Sequence, residues 1–131
     1  MNGMAKQYAC SGFKFSGRDA LNLYGLCSSD SSVVFIEGSH PAEYQSIIVT
    51  AQSEEENIIE GVPCASINKS LLDFMHYPYD DSAILETLEY MSEQELHDFK
   101  IYANGDDVLG DKRWHEFFEW QNWFKRDTFS C

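Results

Sequence analysis

The sequence is poor in positive charge. Nine Lys and Arg stand against 22 Asp and Glu, a formal net charge of −13 at pH 7. Binding to nucleic acid needs a basic patch that meets the phosphate backbone, so direct nucleic-acid binding is not expected. Long apolar runs are missing too: nothing approaches the roughly 18–20 residues of a membrane span. The opening "MNGMAKQYAC" has no apolar core of the signal-peptide kind. The expectation is therefore a cytoplasmic chain, off the membrane, with reduced thiols. The four cysteines, Cys10, Cys27, Cys64 and Cys131, are few and far apart. A chain of 131 residues can bury a core without disulfide staples.

Catalytic and ligand-binding signatures are absent as well. "SGFKFSG" lacks the Lys-Ser/Thr ending of a phosphate-cradling loop. His40, His76, His97 and His115 are isolated, with no i, i+4 pair and no Cys at ligand spacing, so no metal site is expected. "NGDDVLGD" (Asn104–Asp111) lacks the Asp order and the closing Glu of a calcium loop. Cys27 or Cys64 with a distant His could form a nucleophile pair, but no spacing singles either out. Carboxylates are plentiful, yet acid–base catalysis needs one of a pair desolvated. The expectation is a chain that is not an enzyme and takes no cofactor or small-molecule ligand.

What the sequence does contain is a core-forming composition, 44% hydrophobic and 15% aromatic, which excludes a disordered acidic tail. It reads as one domain over residues 1–131. Its charge is uneven. Residues 1–52 hold three basic and four acidic residues (−1), residues 53–107 hold two and fourteen (−12), and residues 108–131 hold four of each (0). A block of one sign sets up a field that attracts a basic partner.

The first segment mixes strand and helix. "KQYAC" (Lys6–Cys10) reads as a weak strand. Ser16 with Asp19 three residues on resembles a capping box, and Ala20, Leu23, Tyr24 and Cys27 follow one helical face. Val33–Glu37 and Tyr44–Ala51 read as strands, and the short "GSHP" linker predicts an antiparallel pair. From residue 66 onward the pattern is helical. Ile67, Leu71, Phe74 and Met75 share a face, and "YPY" ends that helix because Pro disfavours a helical residue before it. Asp81 or Ser82 caps a helix with Ile84, Leu85, Leu88 and Met91 inward. Ser92-x-x-Glu95 is a capping box for a helix carrying Leu96, Phe99, Tyr102 and Ala103, and Asn104-Gly105 stops it. The predicted fold class is α+β: a small antiparallel sheet from the N-terminal half packed against a mostly helical C-terminal half.

In residues 108–131 the stretch "RWHEFFEWQNWF" packs three Trp and three Phe into twelve residues. With Asp111 as cap and a helix to about Arg126, Trp114, Phe117, Phe118, Trp120 and Phe124 fall within an arc of about 160°, a core-facing stripe. Trp123 lies on the polar side and is a candidate interface residue. So are Tyr77, Tyr79, Asp80 and Asp81 of the Pro-stiffened "HYPYDD" turn, where tyrosines offer rigid contact area and aspartates can pair with Arg or Lys. Glu54, Glu55 and Glu56 form a second acidic point, and Glu86, Glu89 and Glu93 a third. These residues point to a small acidic inhibitory binding protein that occludes a basic, nucleic-acid-handling partner. Immunity proteins against nuclease toxins and phage inhibitors of defence nucleases act in that way. An orphan enzyme or subunit, or an adaptor whose acidity serves only solubility, are the other readings.

Overall fold

The alternation in "VFIEG" decides how the protein is layered. In the computed structural model, which describes residues 13–28, 33–78 and 80–119, this stretch is strand β1 (Val34–Gly38), and its first four residues are all buried. Successive side chains of a strand point to opposite faces. Val34 and Ile36 therefore join a small cluster with Phe15, Ala20, Val62 and Cys64, while Phe35 joins the main core. Both faces of β1 are covered.

Strand β3 (Ile47–Ala51) pairs with β1 in parallel, from Val34↔Ile47 to Gly38↔Ala51. This corrects the antiparallel pairing expected from the short linker. The linker contains its own strand, β2 (Ala42–Glu43), antiparallel to β3 through Ala42↔Val49 and Glu43↔Ile48. The chain reverses once before β2 and again after it, so β1 and β3 end up pointing the same way. A second pair, β4 (Asn57–Ile59) and β5 (Val62–Cys64), forms an antiparallel hairpin that the sequence reading treated only as punctuation around Gly61 and Pro63. Phe15 stitches the two sheets together by bridging Ile36 on one side and Cys64 on the other. Its N–H donates to the Pro63 carbonyl at 2.9 Å, and its own carbonyl accepts from Ala65 N–H at 2.8 Å.

Helix α1 (Gly17–Leu23) is short. The expected Ser16/Asp19 capping box does not form, because both side chains reach across the fold. Ser16 Oγ donates to Asp73 at 2.5 Å, and Asp19 accepts the Phe35 N–H at 2.7 Å. Cys27 lies beyond the helix and is buried all the same. Helices α2 (Ile67–His76), α3 (Asp81–Tyr90) and α4 (Glu93–Tyr102) follow. Ser66 caps α2, and the Ser92/Glu95 box at α4 is complete in both directions. The cap of α3 is Asp80, one residue before the expected position; its side chain accepts from Ala83 N–H at 3.3 Å. Leu71, Phe74, Ile84, Leu88, Leu96 and Phe99 are buried as their spacing predicts, whereas Tyr102 remains 46% exposed.

A 3₁₀ turn (Asp107–Gly110) follows α4, and residues 115–119 are helical. The last helix thus begins later than a cap at Asp111 implies. Asp111 instead receives the Arg113 N–H at 2.9 Å, closing a turn that tucks Trp114 into the core. Trp120, Trp123, Phe124 and the Lys6–Cys10 stretch lie outside the described residues. Among the described residues no strand follows residue 66, and no helix is long and apolar enough to cross a membrane. The fold is α+β.

Burial separates the aromatics of this segment energetically. Trp114 is 0% exposed, whereas Phe117 is only partly buried. Trp114→Ala should cost about 3–5 kcal/mol by urea denaturation, and Phe117→Ala about 1–2 kcal/mol. Equal costs would contradict the core placement of Trp114.

Candidate functional site

The end of α3 and the start of α4 build the most distinctive surface. Met91 caps α3 in an extended conformation, and Ser92 restarts the helix. The two helices meet at this corner and leave a groove of about 570 Å³ lined by Leu85, Leu88, Glu89, Met91, Glu93, Leu96, Glu116 and Phe117. Its floor is apolar. Leu88, Met91 and Leu96 belong to the core, with Leu85 and Phe117 half-buried beside them. Its rim is acidic, formed by Glu89, Glu93 and Glu116. Glu89 and Glu116 have no ion-pair partner among the described residues. The helical spacing of Leu85, Leu88 and Glu89 puts apolar and acidic groups on adjacent stripes.

Of the residues singled out in the sequence, Glu89 and Glu93 come together here. Glu86 turns elsewhere: its carboxylate accepts the Ser28 N–H at 2.9 Å and the Ser28 hydroxyl at 2.6 Å. Those two bonds hold it below the usual carboxylate range. Asp80 caps α3 and also pairs with Arg18 at 3.4 Å. Asp81 takes both of its bonds from Arg113 Nη1, at 2.9 and 3.1 Å. Arg113 also grips Asp111 and lies 4.7 Å over the Trp114 ring, so this network fastens the C-terminal segment to α3. Tyr77 ends α2 and packs half-buried against the core. Tyr79 and Trp123 lie outside the described residues.

The acid of residues 53–56 lines two other recesses. Glu54 and Glu56 border one of about 820 Å³, with Phe13, Lys14, Glu37, His40 and Ser53. Glu55 borders a smaller one with Tyr24, Asn57, Glu95 and Asp98. The acid excess is divided among separate recesses. Size alone does not make the 820 Å³ recess a reactive site, because its buried charges satisfy one another. Glu37 accepts from the Ser53 N–H (2.9 Å) and hydroxyl (2.7 Å) and pairs with Lys14 (3.1 Å) and Lys69 (3.3 Å). Lys14 also donates to the Ser53 and Glu55 carbonyls. Lys69 pairs with Asp73 one helical turn on.

Neither described cysteine is a poised nucleophile. Cys27 and Cys64 are buried, and burial, aided by the charge of Asp19, pushes the Cys64 thiol up to about 12. Alkylation mapped by peptide mass should leave Cys64 unmodified in native buffer at pH 8 and modify it fully in denaturant; native labelling would contradict this burial. Among the described residues no group of three or more His, Cys, Asp or Glu could hold a metal ion.

Sequence reasoning missed Glu116 as a rim residue and took Leu85 and Phe117 only as core. The available signal was the Met91–Ser92 break, since two helices that meet at a corner leave a cleft between their outer faces. No protein-family model, curated protein or solved structure matches the chain.

Proposed function

We propose that this chain is a binding protein, not an enzyme, that engages a basic, nucleic-acid-handling protein and occludes the surface with which that partner meets nucleic acid. The observation that carries this reading is the groove at the α3–α4 corner. An apolar floor supplies the desolvated centre of an interface, and a rim of carboxylates supplies the complementary charge. The net charge of −13 supports it by steering a cationic protein toward the chain and repelling competing nucleic acid. Asp80 and Asp81, already engaged inside the fold, contribute stability rather than recognition. Asp80→Ala is expected to lower stability by about 1 kcal/mol through loss of the α3 cap.

The test begins with capture of partners from lysate at low salt, followed by stopped-flow binding of the purified partner. Raising salt from about 50 to 300 mM should slow association at least several-fold. Neutralising Glu89, Glu93 and Glu116 together should slow it about ten-fold at low salt and flatten its salt dependence. The partner's nuclease or nucleic-acid-binding activity should fall in proportion to the complex formed. Association indifferent to salt, or a captured partner that keeps its full activity, would overturn the reading.

A further inference from the structure

We infer that the element the α3–α4 groove receives is a basic amphipathic helix, with an apolar stripe on the floor and Lys or Arg flanking it against Glu89, Glu93 and Glu116. The inference rests on the binding-protein reading and names the chemistry of the partner element. Three features of the groove select it. First, its described lining comes from α3, α4 and residues 116–117, and no sheet edge is among these. An extended peptide that binds by strand addition has no backbone to pair with here. Secondly, Phe117 is the only aromatic among its described lining residues, whereas polyproline ligands dock on rows of aromatic side chains. Thirdly, a floor of Leu85, Leu88, Met91, Leu96 and Phe117 matches anchors repeated at i, i+3/i+4 and i+7, the face that an amphipathic helix offers. Its volume of about 570 Å³ suits a few anchoring side chains rather than a whole domain.

Charge decides the flanks. Among the described lining residues the polar ones are all Glu, three of them, with no Lys or Arg. A helix with acidic flanks would be repelled, and a neutral one would leave Glu89 and Glu116 partly desolvated with no opposite charge. A second copy of this chain carries the same −13 and is a poor occupant. Met91 on the floor adds an adaptable contact that tolerates either aliphatic or aromatic anchors.

The experiment uses the full-length protein and three fluorescent probe peptides of about four helical turns each. One is an amphipathic Leu/Lys helix. The second keeps its pattern with Glu in place of every Lys. The third keeps its composition but scatters the Leu around the helix. Anisotropy should show binding of the first, none of the second, and at least about ten-fold weaker binding of the third, which lacks an anchoring face. Amide shifts in the labelled protein should centre on Leu85–Leu96 and Glu116–Phe117. The triple variant Glu89→Gln, Glu93→Gln, Glu116→Gln should weaken the first probe about ten-fold, and Glu54→Gln, Glu55→Gln, Glu56→Gln should leave it unchanged.

Equal binding of the patterned and scattered probes, or a larger effect from the Glu54–Glu56 variant, would overturn this inference. So would tighter probe binding in Trp123→Ala, Phe124→Ala, which would assign the groove to the chain's own residues 120–131. Any of these outcomes leaves the proposed function standing if the captured partner still binds with salt-dependent association. Loss of that salt dependence is the separate result that removes both.

Discussion

Gly17→Ala is expected to destabilise the protein by about 2–5 kcal/mol. Gly17 opens α1 with φ of +52°, and a Cβ placed there would meet Phe35 Cδ1 and Cγ at 2.4 Å. Neither side can yield easily. The Phe35 ring is 1% exposed and packs edge-on against Phe74, with centroids 5.6 Å apart. The helix start is pinned to β1 from both directions: Ser16 N–H donates to the Phe35 carbonyl at 3.1 Å, and Asp19 accepts the Phe35 N–H at 2.7 Å. The substitution therefore adds an overlap to a left-handed backbone strain. Gly25→Ala isolates the second effect, since Gly25 has φ of +82° and open space around its Cβ position. That variant should cost only about 1 kcal/mol by the same urea titration. Equal costs at the two positions would remove the close approach of α1 to β1 as the cause.

The helical half of this fold was legible because each helix carries its own punctuation. Ser66, Ser92 with Glu95, and the Asp80–Asp81 pair sit directly before apolar residues at helical spacing, and caps are local chemistry. The sheet was harder to read. Whether β3 runs with or against β1 depends on the two-residue strand β2, too short to leave a periodic signal. Linker length counted residues but could not count reversals. Ser16 and Asp19 resemble a cap in sequence, yet long-range partners, Asp73 and the Phe35 N–H, claim them. A capping pattern is informative only where no tertiary partner competes for the same side chains.

The candidate site was legible in composition and not in assembly. The block of acid at residues 53–107 marks a charged half of the chain, but the sequence does not say which carboxylates stay available. Asp81, Glu86 and Asp106 all look like surface acid, yet Arg113, the Ser28 backbone and His76 respectively hold them. Glu116 belongs to a near-neutral segment and reaches the groove only because the turn through Asp111 and Arg113 brings residues 115–119 against the α3–α4 corner. Apolar residues at the groove mouth carry the same periodicity as those beneath it. Leu85 and Leu88 differ by burial, and burial depends on which neighbouring helix fails to cover them.

Glu37→Gln is the other substitution expected to have a large effect, and it comes with a pH signature. The Glu37 side chain is 1% exposed and sits between Lys14 and Lys69 on the buried face of β1. Burial alone would push its carboxyl up. The Ser53 hydroxyl and N–H, Lys14 and Lys69 outweigh that and hold it below the ordinary carboxylate range. A depressed folded-state value means that Glu37 adds stability above the ordinary range, lost as pH falls toward and through the lower folded value. Gln keeps the size and the acceptor for Ser53 but leaves part-buried Lys14 without its carboxylate and Lys69 with Asp73 alone. Breaking a buried pair from one side costs about 3–5 kcal/mol, mostly the penalty for the uncompensated charges. At pH 7 the variant should show that full loss in urea denaturation. As pH falls below the ordinary carboxylate range the gap should narrow, and wild type and variant should converge only below the depressed value of Glu37, because protonation then removes from the wild type what the substitution has already removed. Lys69→Met should be similarly costly, since Lys69 also pairs with Asp73, which receives the Ser16 hydroxyl and so ties α1 to α2. A stability difference between wild type and Glu37→Gln that stays constant from pH 7 to pH 3 would show that the charge of Glu37 contributes nothing and that only its shape matters.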